Sequence, residues 1–154
     1  MDDRKALSRA AAYCSRQERC VYDVERKLEA WDVDREKFGA IIERLIKEKF
    51  IDESRYSVFF VRDKFRFNGW GRIKIRWALK QKGIAEKDIN NALTEIDDAV
   101  YHEKLTEILK EKYKQIRNKK DEYQTKAALV RFAQSKGYEQ DLIFSVLDEI
   151  IKKE

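Results

Sequence analysis

The side chains best placed to do chemistry in this sequence are cations gathered in one stretch, from Arg62 to Lys82. The stretch holds eight basic residues and one acid, Asp63, so its formal charge is +7, whereas the remaining 26 basic and 28 acidic residues sum to −2. Clustered cations release counterions when they meet regularly spaced phosphates, and they steer association with a polyanion. Trp70 lies in a turn within the stretch, and stacking one unpaired base on an aromatic ring contributes about 1–3 kcal/mol. The pattern predicts a nucleic-acid surface.

The predicted contact residues are basic or aromatic and lie in or just before this stretch: Arg55, Arg62, Arg66, Trp70, Arg72, Lys74, Arg76, Lys80 and Lys82. Arg72, Arg76 and Lys80 step by four, which places them in a stripe on the outside of a helix. The core face of that helix is predicted to be Ile75, Ala78 and Leu79. Two alternatives are a plain solvated face and a Trp70 that only caps the core. For the second basic run, from Lys110 to Lys120, a solvated, linker-like role is favoured.

Two acidic pairs, Asp52-Glu53 and Asp97-Asp98, stand at junctions before predicted helices. There a carboxylate accepts hydrogen bonds from free backbone amides and meets the positive end of the helix dipole. Neighbouring residues at a helix terminus do not face each other across a cleft. We therefore interpret both pairs as helix caps and expect no general acid–base pair.

Other candidates for catalysis or metal binding are few. His102 lies in a charged stretch without a partnered serine or cysteine nucleophile, so a surface histidine is expected. Cys14 and Cys20 are six residues apart with no second pair, which is not the spacing of a zinc site. They are interpreted as core thiols. We expect no catalytic residue, no metal and no cofactor, and so not an enzyme.

Composition predicts an all-α chain. The 154 residues contain no proline and five glycines, so a protein rich in β-turns is excluded. Charged residues make up 41% of the chain, against roughly 25% in an average soluble domain, which favours an elongated assembly with much surface. No stretch approaches the roughly 18 apolar residues of a membrane span, and the first residues lack the order of a secretory signal. A cytoplasmic protein is expected.

An internal repeat appears when Asp32, Gly83 and Gly137 are placed in register. The positions eight and four before this anchor, and one, six, ten and thirteen after it, are apolar in every copy. They are Val24, Leu28, Val33, Phe38, Ile42 and Leu45; Ile75, Leu79, Ile84, Ile89, Leu93 and Ile96; Leu129, Ala133, Tyr138, Ile143, Leu147 and Ile150. Steps of three and four indicate helices on both sides of the anchor, where glycine suits a left-handed cap.

With a further helix before each pair, the repeat predicts three tandem three-helix units, similar to helix-turn-helix units, that form an elongated crescent. Their predicted bounds are 5–51, 52–97 and 98–153. The leading helices of the second and third units are predicted at 53–66 and 98–117. In the former, Tyr56, Phe59, Phe60 and Phe67 are expected to share one packed side.

Specific motifs resemble the RecX family. The segment 51–60 (IDESRYSVFF) is similar to the acidic-pair, Arg-aromatic signature that opens its second repeat. The runs 69–73 (GWGRI) and 79–84 (LKQKGI) are similar to its Gly-x-x-basic-Ile and Leu-x-x-Lys-Gly-Ile motifs. In the third unit, Phe132-Ala133 with Lys136-Gly137-Tyr138 resembles its Phe-Leu and Arg-Gly-aromatic run. The resemblance spans nearly the whole chain.

The resemblance implies a monomeric, non-catalytic modulator, chiefly an inhibitor, of the RecA recombinase. Such a protein lodges along the groove of a RecA–DNA filament, restrains strand exchange and ATP hydrolysis, and regulates homologous recombination, DNA repair and the SOS response. Its partners would be the RecA filament and single-stranded DNA, with duplex DNA as a further candidate. Two alternatives are a free-standing DNA-binding protein of helix-turn-helix type without a recombinase partner, and a helical adaptor whose basic face meets an acidic protein.

Overall fold

The computed structural model describes residues 1–119 and 121–152, and every regular element in those ranges is helical. The helices are α1 (Asp3–Arg16), α2 (Val21–Ala30), α3 (Phe38–Lys47), α4 (Glu53–Asn68), α5 (Arg72–Gln81), α6 (Glu86–Leu93), α7 (Asp98–Ile116), α8 (Glu122–Lys136) and α9 (Gln140–Lys152), with a 3₁₀ turn at Arg35–Lys37 before α3. The all-α prediction is confirmed, and the two leading helices begin where the sequence placed them. None of the helices in the described ranges combines the length and the hydropathy of a membrane span.

Acidic side chains cap the helices that open the second and third repeats. Asp52 accepts a hydrogen bond from the backbone N–H of Arg55 at 3.0 Å. Asp97 accepts from two backbone N–H groups in the first turn of α7, at 3.1 and 3.2 Å. Both caps were predicted. Glu53 behaves differently from the prediction: its carboxylate accepts from the N–H of Val21 at 2.9 Å, where α2 begins.

The anchors of the repeat end their helices in the same way. Asp32, Gly83 and Gly137 have φ angles of 62°, 75° and 98°, in the left-handed region. In each copy the next residue donates its N–H to the carbonyl five positions back: Val33 to Leu28 at 3.0 Å, Ile84 to Leu79 at 3.1 Å, and Tyr138 to Ala133 at 3.2 Å. This is the Schellman bond, and apolar partners meet across it. All aligned apolar residues are buried, none more than 8% exposed.

The chain folds into two compact units. The first comprises Met1–Phe60 and Leu79–Ala92, and the second comprises Val61–Ala78 and Leu93–Glu154. The core of the first unit includes the fully buried Val24, Leu28 and Leu45. The core of the second forms where α7, α8 and α9 pack together. The bounds of the three repeats and their crescent arrangement stay predictions, and position 153 lies outside the described residues.

The aromatic face of α4 differs from the prediction. Tyr56 and Phe60 are buried at 3% and 8% exposure, as expected. Phe59 and Phe67 are exposed, and Phe67 is 76% accessible at the end of the helix. The prediction that all four share one packed side was wrong. Phe67 lies in the last turn of α4, at the end of the packed stretch, and Phe59 stands about 100° around the helix from the buried Phe60.

Candidate nucleic-acid interface

The predicted contact residues fall into both units. Arg55, Lys80 and Lys82 belong to the first, whereas the second holds Arg62, Arg66, Trp70, Arg72, Lys74 and Arg76. Their surroundings decide which of them have a charge available for a ligand, because a cation held by a buried acid has little left to offer an incoming phosphate.

Lys82 is held inside the first unit. Its ammonium donates hydrogen bonds to the Asp23 carboxylate at 2.8 Å and to the Tyr56 hydroxyl at 3.1 Å. The Asp23 side chain is 14% exposed and that of Lys82 is 29% exposed. Burial lowers the pKa of Lys82, but the bonds to Asp23 and Tyr56 outweigh it and leave the pKa above its ordinary value. Lys82 therefore ties α2 and α4 to the end of α5.

The other two contact residues of the first unit also have acidic partners. The guanidinium of Arg55 lies 2.6 Å from the Glu18 carboxylate and donates to the carbonyl of Lys49 at 3.1 Å. Lys80 lies 2.6 Å from Glu86, and both side chains are about half exposed. Arg55 thus joins the first turn of α4 to the segment between α1 and α2 and to the chain that follows α3. The Lys80 pair is a solvent-exposed one, and such pairs contribute only about 0–1 kcal/mol.

A close backbone contact sets the position of α5 in the second unit. Gly71 donates its N–H to the carbonyl of Lys136 at 2.7 Å, and Ile73 donates to the carbonyl of Gly137 at 3.0 Å. A Cβ atom on Gly71 would lie 2.4 Å from the Gly137 carbonyl oxygen, and one on Gly137 would lie 2.3 Å from the Cβ of Lys74. Gly71 and Gly137 are therefore required by packing.

Buried tyrosines complete this seam. The hydroxyl of Tyr101 accepts the N–H of Arg72 at 2.9 Å and donates to Glu139. Burial, followed by the bond to Glu139, raises the pKa of Tyr101. The hydroxyl of Tyr138 donates to the carbonyl of Gly69 at 3.0 Å. Both tyrosines come from the third repeat, so nothing in the local sequence of the turn pointed to them.

Arg72 is less exposed than its predicted position on the outside of α5 implies. Its guanidinium lies 2.7 Å from Asp98, 3.8 Å from Glu139 and 4.0 Å from the ring centroid of Tyr101. Its side chain is only 26% exposed. The physical reason is helical rotation: at about 100° per residue, Arg72 stands only about 60° from the buried Ile75. The expectation that Arg72 lies on the outside of α5 was wrong.

Trp70 is half-buried between two lysines. The ammonium groups of Lys74 and Lys64 lie 4.6 and 5.2 Å from its ring centroid. Lys74 also approaches the carbonyl of Ser135 at 3.4 Å. The ring therefore meets cations of its own chain, an attraction worth about 0.5–1 kcal/mol at exposed sites. An unpaired base would have to displace one of these lysines to stack on it.

Arg62 and Arg66 line an open cleft of about 330 Å³ beside the start of α7. Arg62 forms an ion pair with Glu95 at 2.5 Å, and its side chain is 61% exposed. Arg66 is exposed, and its backbone carbonyl accepts a hydrogen bond from Lys104 at 3.1 Å. Glu103 and Glu107 also line the cleft, so its charge is mixed.

An exposed apolar pair on α5 was missed by the sequence reasoning. Trp77 is 63% and Ile73 54% exposed, and the two stand one helical turn apart. A signal was available, because both lie opposite Ile75 and Leu79, which are fully buried. The same rotation of about 100° per residue puts Trp77 and Ile73 next to Lys80 and Arg76. The outer face of α5 thus combines exposed apolar and basic side chains.

The remaining chemical candidates have ordinary surroundings. Cys14 and Cys20 are buried free thiols, as interpreted, and burial raises their pKa values to about 11 and about 12. His102 lies at the surface with Nε2 3.6 Å from Glu149. No group of three or more metal-ligating side chains occurs in the part of the chain that the structure describes.

Comparisons with known proteins point to one family. Models described as the second and third three-helix domains of RecX match residues 52–93 and 99–147. The regulatory protein RecX of Clostridium tetani is 34% identical over 135 residues, which is 87% of this chain and 60% of that protein. The RecX of Limosilactobacillus reuteri is 31% identical over 150 residues, 96% of this chain and 55% of its own length. The chain thus spans somewhat over half of these relatives.

Solved structures agree. A crystal structure of regulatory protein RecX superposes with a TM-score of 0.86 at 29% identity, over 95% of this chain and 71% of that one. RecX from Lactobacillus salivarius superposes with a TM-score of 0.82 at 24% identity, over 96% and 95% of the two chains, and supports the fold.

Proposed function

We propose that this chain, which belongs to the RecX family of regulatory proteins, is a non-catalytic modulator, and chiefly an inhibitor, of the RecA recombinase. In this proposal it acts in the cytoplasm as a monomer that binds RecA filaments on single-stranded DNA. It would thereby regulate homologous recombination, DNA repair and the SOS response. It restrains the recombinase by contact and needs no cofactor.

The outer face of α5 is the observation that carries this proposal. Trp77 is 63% exposed beside Ile73, with Arg76 and Lys80 on the same side of the helix. Large exposed apolar side chains are costly in water, and contiguous ones mark interaction surfaces. Tryptophan and arginine are enriched among the residues that dominate binding energy. A face of this kind supports docking onto a protein–DNA filament better than it supports catalysis.

The ion pairs separate the predicted contact residues into two groups. Arg55, Arg72 and Lys82 hold helices of this chain together through partly buried carboxylates or aromatic rings. Lys80 pairs with Glu86, and both side chains are about half exposed. Exposed pairs are weak and screened by salt, so a phosphate or a recombinase carboxylate can replace Glu86 at little cost. We therefore assign filament binding to the outer face of α5 and to the more exposed cations.

The test is the DNA-dependent ATP hydrolysis of the cognate recombinase. The wild-type chain should inhibit it at concentrations below that of the recombinase. Trp77→Ala should raise the concentration for half-inhibition roughly 30-fold, the equivalent of a binding hot spot of about 2 kcal/mol. Tyr123→Ala is the matched control, because Tyr123 is 82% exposed on α8, away from α5. It should leave inhibition unchanged.

The alternative, a free-standing DNA-binding protein of helix-turn-helix type, gives the opposite pattern. Such a protein binds bare DNA as tightly as it binds filament, and it leaves ATP hydrolysis untouched at substoichiometric concentrations. If Trp77→Ala inhibits ATP hydrolysis as well as the wild type does, the outer face of α5 does not bind the filament.

A further inference from the structure

The second basic run forms part of a regular helix in the structure. Lys110 and Lys114 lie in the last two turns of α7, which ends at Ile116. Residues 110–116 thus belong to the helix predicted at 98–117, and Lys110 and Lys114 are exposed, as the solvated role predicted. The linker-like character also expected for this run does not apply to residues 110–116, and Lys120 lies outside the described residues. The opposite face of α7, with Leu105 and Leu109, is fully buried. The helix is thus fixed to its unit by one face and presents lysines on the other.

These lysines stand on one wall of a groove. Five residues of α7 and its C-cap line it, at helical spacing: Thr106, Lys110, Tyr113, Lys114 and Arg117. Glu149 and Ile150 of α9 form the other wall, and the groove has a volume of about 240 Å³. Because Leu105 and Leu109 anchor α7 from behind, the spacing of the lysines is set by the rise of the helix, about 6 Å between Lys110 and Lys114.

The charge of this groove is available to a ligand. Lys110 and Lys114 are exposed, and neither has an ion-pair partner among residues 1–119 and 121–152. Lys112, between them in sequence, differs because its ammonium lies 4.8 Å from the ring centroid of Phe132. Glu149 is the carboxylate in the lining, and it lies 3.6 Å from His102. The groove therefore carries more positive charge than its own acids balance.

We infer that the α7–α9 groove is a second nucleic-acid site, which takes the phosphodiester backbone of single-stranded DNA along Lys110 and Lys114. Lysine ammonium groups recognise phosphates as point charges and read no sequence. Tyr113 is half-buried in the lining of the same groove and provides an aromatic side chain there for a sugar or base. The site is distinct from the outer face of α5, and it does not depend on the recombinase.

Binding to bare DNA tests this inference without the recombinase. The full chain is titrated into a labelled oligothymidylate of about 20 nucleotides at about 50 to 300 mM salt, followed by fluorescence anisotropy. Lys110→Gln/Lys114→Gln should reduce the slope of log affinity against log salt by about 1.4, about 0.7 for each lost contact. The affinity should fall on the order of tenfold at about 0.1 M salt.

Two further variants control for charge. Lys47→Gln/Lys87→Gln removes the same net charge from exposed positions on α3 and α6 and should keep the wild-type slope. Lys110→Arg/Lys114→Arg keeps the charge in the groove and should retain binding. If Lys110→Gln/Lys114→Gln and Lys47→Gln/Lys87→Gln lose the same affinity for DNA, the net charge of the protein explains binding and the inference is overturned.

An acidic protein segment is the competing ligand. A labelled polyglutamate of similar length takes the place of DNA in a second titration. A loss of polyglutamate binding in the groove variant with oligothymidylate binding intact would assign the groove to an acidic polypeptide and overturn the nucleic-acid site. Since inhibition of ATP hydrolysis is measured separately, the failure of either proposal leaves the other standing.

Discussion

The two basic runs of this chain differ in what folding does with their charge. The central run, 62–82, has a formal charge of +7, yet Asp23, Glu86, Glu95, Asp98 and Glu139 from other parts of the chain lie against its cations. The run on α7 holds fewer cations, but Lys110 and Lys114 meet no carboxylate in the described ranges. The central run therefore has the larger formal charge, but a smaller fraction of its cations is left to bind a ligand.

The role of a cation therefore depends on the acidic side chains that the fold places beside it. A lysine paired with a nearly buried carboxylate is part of the structure, because loss of either partner leaves an uncompensated charge. An exposed lysine without a partner contributes little to stability and keeps its charge for a ligand. Substitutions in the central run should accordingly cost folding free energy, whereas those on α7 should cost binding.

Within the central run, substitutions on the buried and exposed faces of α5 should differ most in their cost to stability. Leu79 is fully buried, so Leu79→Ala should lower the free energy of unfolding by about 2–5 kcal/mol. Lys80→Ala, next to it on the exposed face, should change it by less than about 0.5 kcal/mol. Denaturant titration of both variants measures the difference. Equal effects would mean that α5 does not contribute to the core through Leu79.

Gly71, in the GWG turn, is also expected to be essential for stability. Gly71→Ala should destabilise the protein by about 3 kcal/mol, because the new methyl group collides with backbone atoms of Gly137. Gly39→Ala is the matched control, since a Cβ on this α3 residue meets nothing within 4 Å. It should stabilise the protein by about 0.5–1 kcal/mol through helix propensity. An unchanged free energy of unfolding in Gly71→Ala would show that the backbone contact between Gly71 and Gly137 is not required for stability. The central run would then be a candidate for a role mainly in binding.

The sequence predicted the helical framework well, since that framework is set by local rules. Periodic apolar residues placed the buried faces of the helices, and the left-handed anchors at Asp32, Gly83 and Gly137 were found from their spacing alone. Even Asp32, which is not glycine, adopts the predicted cap, because a short polar side chain tolerates that backbone region. A further left-handed residue at the end of α3, Lys49, had no glycine to reveal it.

The charge pairing could not be predicted in the same way. Asp23 is separated from Lys82 by 59 residues, and Arg72 is separated from Asp98 by 26, so no local spacing connects them. The seam between Gly71 and Gly137 also joins distant parts of the chain. The exposure of Trp77 was within reach of a helical projection of α5. It was not predicted because the outer face of α5 was interpreted from its basic residues alone, and Trp70 was taken as the aromatic residue that could stack on a base.

A smaller loss of stability is expected from Lys82→Gln in the central run, which can be compared with Lys114→Gln on α7. Lys82→Gln keeps a polar side chain but removes the charge that balances Asp23, whose side chain is 14% exposed. The amide can donate one hydrogen bond where the ammonium now serves both Asp23 and Tyr56. We expect a loss of about 2 kcal/mol in the free energy of unfolding, below the range for a fully buried pair because Lys82 remains in contact with solvent.

Lys114→Gln removes the same charge from an exposed site on α7 and should change the free energy of unfolding by less than about 0.5 kcal/mol. Urea titrations at neutral pH give both values, and a double variant should show the two effects adding. Adding Asp23→Asn to Lys82→Gln should recover part of the loss, because it removes the carboxylate left without its counter-charge. If the Asp23→Asn/Lys82→Gln double variant is no more stable than Lys82→Gln, the loss comes from the packing of the aliphatic part of Lys82 and not from its charge. A Lys82→Gln cost as small as that of Lys114→Gln would mean that both runs are equally free, and that the central one remains a candidate for phosphate binding through all of its cations.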